Sequence, residues 1–296
     1  MSLFEPPAPL ASRMRPRTLD EFVGQEHLLA PGRALGDAIR KGTLGSAIFW
    51  GPPGSGKTSL ARLIAQHTDK HFVPFSAVTE GVPRIREIIA EARQRRELGR
   101  GTILFCDEIH RFNRAQQDAF LPHVEAGVIT LIGATTENPS FELNGALLSR
   151  TQVFVLEPLR PDHLATLIGT ALDDRDRGLG SLGLEAEPEA VTALAAASDG
   201  DARRALTVLE AAASLGGPGG RLTVALIREA LALRIPTYDK SGEEHFNLLS
   251  AYHKSLRGSD PQGALYWMAR IIEGGEDPMI LFRRAIAMAA EDIGLA

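Results

Sequence analysis

The chain has 296 residues, 44% of them hydrophobic and 23% charged, with a formal net charge of −5. That length allows two or three compact units, and the acidic balance excludes a global basic field, so a nucleic-acid partner would need a local patch. The single cysteine, Cys106, excludes an internal disulfide framework and fits a reducing cytosol, and no run approaches the length of a membrane span.

The chain starts Met-Ser-Leu-Phe-Glu without an apolar core of the signal-peptide kind. Pro6, Pro7, Pro9 and Pro16 predict an extended arm over residues 1–18, not a packed element. Thr18 or Asp20 suits the cap of a short helical turn. Residues 28–42 read as a helix that Gly42 and Gly45 end.

Ala47-Ile48-Phe49-Trp50 then reads as a buried strand, and Ser59–Ala65 as a helix. Between them lies Gly51-Pro52-Pro53-Gly54-Ser55-Gly56-Lys57-Thr58, a G-x-x-x-x-G-K-[ST] motif in the strand–turn–helix context it requires. Glycines let successive N–H groups converge on one phosphate, and the N-terminus of the following helix adds its field. Lys57 would hold the β- and γ-phosphates of ATP, and the Thr58 hydroxyl would ligate Mg²⁺. Residues 51–59 are therefore the expected nucleotide cradle, with Arg15, Pro16 and Val23 as the part of the arm that lies across the base.

His71–Ala77 predicts a second strand, and Arg84 to about Leu98 a helix with Ile85, Ile88, Ile89 and Ala92 on its buried face. The other face mixes Arg84, Arg86, Arg93, Arg95 and Arg96 with glutamates, and its plain reading is a solvated surface. Gly101–Glu108 reads as a fully buried parallel strand ending in the carboxylates Asp107 and Glu108. Ligands of open α/β sheets bind at that end. Asp107 would enter the Mg²⁺ shell, and Glu108 would polarise an attacking water. His67 and His71 do not share one helix, and no His/Cys cluster has zinc-site spacing.

A helix over Arg114–Glu125 is expected next, then a strand over Gly127–Thr136 that ends in hydroxyls, an apolar turn carrying Arg150, and a fifth strand over Val153–Leu156. Helices follow: 162–173, 188–198, 201–214 capped by Asp199 or Asp201, and 222–233, with a glycine break at 216–220. After a linker at 235–239 come helices near 244–257, 261–273 and 278–292. Leu265, Met268, Ala269 and Ile272 make one core stripe, and Leu281, Ala285 and Met288 another.

These features together resemble an AAA+ ATPase of the clamp-loader type. They are the loop at 51–58, Asp107-Glu108, the strand ending in Thr136, Leu148-Ser149-Arg150 and Gly200-Asp201-Ala202-Arg203-Arg204-Ala205. The resemblance implies an α/β fold: a P-loop αβα sandwich over 19–160 behind the arm, a helical lid over 161–235, and the beginning of a helical oligomerisation domain over 236–296, expected to be truncated. It implies that Thr136 is the sensor-1 residue, with Thr135 the alternative. Arg150 is matched to the arginine finger that reaches a neighbouring subunit, and Arg203 to sensor 2.

Val23-Gly24-Gln25-Glu26-His27-Leu28, Gly133–Asn144 and the segment from His253 to Pro261 are similar to the replication-associated recombination protein A family and its eukaryotic relative, the Werner-helicase-interacting ATPase. That resemblance implies an ATP- and Mg²⁺-dependent, DNA-dependent ATPase at stalled forks, gaps or duplex ends. It also implies a homo-oligomer, a cytoplasmic and nucleoid-associated location, contacts with single-strand-binding protein and the replication and recombination machinery, and no membrane. Arg86 leads the expected DNA contacts, followed by Arg84, Arg111 and Arg114. A nucleotide-switched adaptor with little motor activity is the competing reading. A helicase reading of Asp107-Glu108-Ile109-His110 lacks a second recombinase-like core.

Overall fold

The computed structural model describes residues 8–76, 82–233, 243–273 and 278–290. Ala77, the linker at 235–239 and the end of the last expected helix lie outside the described residues. The chain divides into two compact units, residues 1–227 and 228–296.

The first unit is built on five parallel strands: β1 (Ala47–Trp50), β2 (His71–Ser76), β3 (Thr102–Asp107), β4 (Thr130–Thr135) and β5 (Gln152–Val155). Their order is β2-β3-β4-β1-β5. Alternate residues feed two cores. Ile48, Leu104 and Cys106 point into one with Val73, Phe75, Ile88 and Phe120. Phe49, Ile103, Phe105 and Ile132 point into the other with Leu60, Ile64 and Leu35. Burial on both faces explains why these strands read as apolar runs rather than as an alternating pattern.

The helices in chain order are α1 (Leu10–Arg13), α2 (Glu26–Leu29), α3 (Ala34–Arg40), α4 (Lys57–His67), α5 (Val82–Glu97), α6 (Arg114–Asp118), α7 (Leu121–Glu125), α8 (Pro139–Glu142) and α9 (Gly145–Leu148). They continue as α10 (Pro161–Asp173), α11 (Pro188–Ala197), α12 (Ala202–Gly216) and α13 (Val224–Leu233). A two-strand pair, β6 (Glu185–Ala186) and β7 (Arg221–Leu222), ties the lid loops together.

Several expectations are corrected. The expected helix over 28–42 is two helices, because Pro31 cannot continue α2 and Gly32 turns the chain at φ +81°. The expected helix over 114–125 is also two. Pro122 opens α7, and Gln117 of α6 is turned inward, where its amide donates to the Phe112 and Glu142 carbonyls at 2.9 and 3.0 Å. The strand expected over 127–136 narrows to β4, and the fifth strand begins one residue early, at Gln152. The described part of the arm is packed: Leu10 of α1 is fully buried, its N–H donates to the Glu210 carboxylate of α12 at 2.9 Å, and Arg13 donates to the Arg177 and Gly178 carbonyls. Proline fixed the expectation of an extended arm, yet Pro9 serves as the residue before a helical turn.

In the second unit, α14 (Glu243–Arg257), α15 (Pro261–Glu273) and α16 (Pro278–Met288) share a core of Leu248, Leu249, Tyr252, Ala264, Ile271 and Leu281. The buried stripe of α15 is displaced from the expected one: Ala264 and Ile271 are inside, whereas Leu265 and Ile272 are 60% and 45% exposed. A helix with two adjacent apolar stripes does not tell from its period which one its neighbours take. Among the described residues no helix is long and apolar enough to cross a membrane.

Candidate nucleotide site

The strand-to-helix turn is shaped by what glycine permits. β1 delivers the chain to Gly51, whose N–H donates to the Thr135 carbonyl at 3.2 Å. A β-carbon at Gly51 would collide with the Leu156 carbonyl, and one at Gly54 with the Asp201 carboxylate. Gly54 and Gly56 have φ of +69° and +101°, the left-handed region that other residues avoid. Gly56 caps α4 without a side-chain hydrogen bond, so the first amides of the helix, from Lys57 on, keep their donors free of intrahelical partners.

Lys57 is 8% exposed, and its ammonium donates to the Gly51 and Pro52 carbonyls at 2.6 and 2.9 Å. Burial pulls its pKa below the ordinary lysine value, the Glu108 and Asp107 charges pull it back up, Arg203 lowers it and Asp201 raises it. The loop lysine, the carboxylates at the end of β3 and the first turn of α12 therefore share one electrostatic neighbourhood. Ser55 Oγ donates to the Pro52 carbonyl at 2.9 Å and braces the turn. Pro53 is exposed, and Thr58 and Ser59 are half-buried in the first turn of α4.

Glu108 follows β3 with φ +52°, uncommon for a non-glycine residue. Burial raises its pKa above the usual carboxylate value; Asp107 adds to this, and His110, Lys57 and Arg111 oppose it. Gly133 makes room for the turn, since a β-carbon there would stand 2.9 Å from Ile109 Cδ1. The two candidate threonines differ. The Thr135 hydroxyl is occupied by His110 Nδ1 at 2.9 Å and by both backbone groups of Glu137. Thr136 Oγ1 is buried and has no hydrogen-bond partner.

The lid reaches the loop directly. Asp201 caps α12 by accepting from Arg204 N–H at 3.0 Å, and Ala202 N–H donates to the Gly54 carbonyl at 3.3 Å. That fixes Arg203 next to the cradle. Arg15 lies in its reach, its pKa lowered by burial, by Arg62 and by Arg203. Pro16 and Val23 are half-buried beside it in sequence, but the contact the structure adds is Phe22: its ring would stand 2.7 Å from a β-carbon on Gly56.

Arg150 is not in this cluster. It precedes β5, whose first residue is level with Ala47 at the start of β1, so it lies toward the opposite end of the strands from the loop. There it pairs with Glu125 and donates to the Ala146 carbonyl at 2.8 Å. Arg84 pairs with Glu87 at 2.9 Å, whereas Arg86, Arg111 and Arg114 are exposed and make no direct ion pair among the described residues, Arg111 acting on the Glu108 charge from farther off.

Sequence reasoning missed Gln25, which is 3% exposed at φ +61°. Its amide donates to the Glu157 carbonyl at 2.7 Å and the Ser55 carbonyl at 3.4 Å, and accepts from Glu157 N–H at 2.9 Å. It thereby pins the stretch after the arm to the loop and to the segment leading from β5 into the lid. The Gly24-Gln25 pair was visible among the residues carrying the resemblance, but its partners are 30 and 132 positions away.

The residues present fit a nucleoside triphosphate with Mg²⁺: a glycine cradle of free amides, a buried ammonium, an orphaned threonine hydroxyl and a carboxylate pair. Among the described residues no group of three or more His, Cys, Asp or Glu could hold a metal.

The family described as ATPase family associated with various cellular activities (AAA) matches residues 47–159, AAA C-terminal domain matches 180–257, and MgsA AAA+ ATPase C terminal matches 258–296. Replication-associated recombination protein A of Bacillus subtilis (strain 168) is 40% identical over 97% of this chain and 68% of its own length. The chain belongs to the replication-associated recombination protein A family. The Escherichia coli (strain K12) member is 51% identical over 97% of this chain, which spans 65% of that relative's length. ATPase WRNIP1 of Dictyostelium discoideum is 42% identical over 98% of the chain and 35% of its own length. Among solved structures, the Thermotoga maritima RuvB Holliday junction branch migration motor matches with a TM-score of 0.60 at 27% identity, covering 82% of this chain and 79% of that one. The parallel sheet with its helical lid is thus the α/β AAA+ architecture of the family, and the 51–58 loop lies in its ATPase domain.

Proposed function

We propose that the chain is the ATP-hydrolysing part of a DNA-dependent ATPase that binds and remodels DNA at stalled forks, gaps or duplex ends during replication, recombination and repair. The observation that carries the reading is the convergence of Lys57, Asp107, Glu108 and the lid's Arg203 on one glycine cradle in a member of this family. The amides of residues 54–59 cradle the phosphates, Lys57 exchanges its carbonyl partners for β- and γ-phosphate oxygens, and Arg15, Pro16 and Val23 flank the base. Thr58 and Asp107 would hold Mg²⁺, which would supply neutralisation of phosphate charge. Glu108, desolvated and therefore a stronger base than a free carboxylate, takes the proton of the attacking water. The Thr136 hydroxyl orients that water or the γ-phosphate, and Arg203 spreads the developing charge over a guanidinium held by the α12 cap.

Arg150 acts on the neighbouring subunit's nucleotide in a homo-oligomer, in keeping with its place away from its own loop. Arg86, Arg111 and Arg114, exposed and unpaired among the described residues, meet DNA phosphates, with Arg84 beside them. Contact with single-strand-binding protein and a cytoplasmic, nucleoid-associated location belong to the same proposal and rest on family membership. The test is the ATPase rate with and without forked or gapped DNA at two salt concentrations. Stimulation that falls with salt is expected; turnover indifferent to DNA refutes the DNA-dependent reading, and absent turnover favours the adaptor.

A further inference from the structure

Resting on the reading of Glu108 as the base, we propose that His110 is a positioning residue that shares one N–H between Glu108 and Thr135, and so links the water-activating carboxylate to the tip of β4. The hydrogen-bond roles follow from counting protons. The Glu137 carbonyl, 3.2 Å from Thr135 Oγ1, can accept the single Thr135 hydroxyl proton. The Glu137 N–H can only donate, and it fills one Thr135 lone pair at 3.0 Å. We assign His110 Nδ1, 2.9 Å from Thr135 Oγ1, as the donor, because a bare lone pair there would also face the neighbouring Glu108 carboxylate; the ring then carries its proton on Nδ1. The same nitrogen stands 3.3 Å from Glu108 Oε2. One proton thus faces two acceptors, nearer the threonine.

The surroundings make that choice matter. Thr135 is fully buried, and the His110 and Glu108 side chains are 9% and 32% exposed, so water competes weakly for the bond. Thr135 and Thr136 are consecutive, and Thr136 carries the unpartnered buried hydroxyl. A small shift of this tip, made when Thr136 engages a phosphate, lengthens the bond to Thr135 and hands the N–H to Glu108. The carboxylate is then oriented only when the β4 tip is engaged. Sequence gave no hint of this, since His110 reads as the fourth letter of an apparent helicase box.

The test compares steady-state ATP turnover and nucleotide affinity of the full-length protein with those of His110→Ala, His110→Asn, His110→Gln and Glu108→Gln. Asn places an amide N–H where Nδ1 stands, and Gln places it near Nε2. His110→Ala should lower kcat about tenfold or more with KM and nucleotide affinity unchanged, Asn should recover most of the rate, and Gln should not. In the Glu108→Gln background His110→Ala should cause no further loss. If Ala does not fold, Asn against Gln carries the same comparison. Equal rates for Asn and Gln, or a loss expressed in KM, overturn the proposal while leaving Glu108 as the base. Normal turnover of Glu108→Gln instead overturns the reading beneath it.

Discussion

Lys57 and Glu108 should fail in different ways when removed. Lys57 is buried on two loop carbonyls and has no role except to present positive charge. Lys57→Ala should lose nucleotide affinity by a factor of roughly 10 to 100, the worth of a charge-assisted hydrogen bond, visible by fluorescent-nucleotide titration. Glu108→Gln keeps the shape of the site and its cradle. It should bind ATP normally while turnover falls by about 10² to 10⁴, the range for loss of a general base, which single-turnover kinetics reads directly. Asp174 makes a separate case in the lid. Hydrogen bonds from Arg177 and Asp176, chiefly the Arg177 backbone N–H, hold its pKa at about 2 against an ordinary 3.8. A depressed carboxylate pKa means the unfolded chain binds the proton more readily, so the stabilisation is present above about pH 4 and lost as pH falls towards 2. Asp174→Asn should lower the Tm near neutrality and flatten its decline across that window.

At the level of elements, the loop and the lid are joined by contacts that leave no space. The carboxylate capping α12 sits where a Gly54 side chain would go, so Gly54→Ala should displace the lid as well as strain the turn. Asp201→Ala should cost about 0.5–2 kcal/mol through the lost cap, and calorimetry on both variants should show the Gly54 change to be the more damaging to nucleotide binding. What could be read in advance divides along the same line. Gly51–Thr58, Asp107 and Glu108 were legible as candidates because strand, turn and helix signals are local, and the ligand-binding end of a parallel sheet follows from strand direction. Gln25, Phe22 and the His110–Thr135 bond were not, because each depends on a partner brought near only by the fold. The breaks at Pro31 and Pro122 were in plain sight and were overridden by apolar spacing. The inward face of α15 was ambiguous because its apolar residues outnumber those its core can take.

On the scale of the whole molecule, the role proposed for Arg150 is one between chains. Arg150→Ala should leave nucleotide affinity intact and abolish turnover, and mixing it with Glu108→Gln protein should restore part of the activity if each supplies what the other lacks. Arg86→Ala should weaken DNA binding evenly across sequences and reduce the slope of log affinity against log salt by about one. The N-terminal segment has a further consequence. It is fastened at α1 to α12 and again at Phe22 beside the glycine turn, and between these Arg177 donates to the Arg15 carbonyl and pairs with Glu21. Seven residues, Arg15–Glu21, span at most about 25 Å, so any swing of α12 away from the loop would be bounded by this stretch. A glycine-serine insertion after Thr18 should loosen that bound and quicken nucleotide release while leaving Arg15, Pro16, Phe22 and Val23 themselves unchanged.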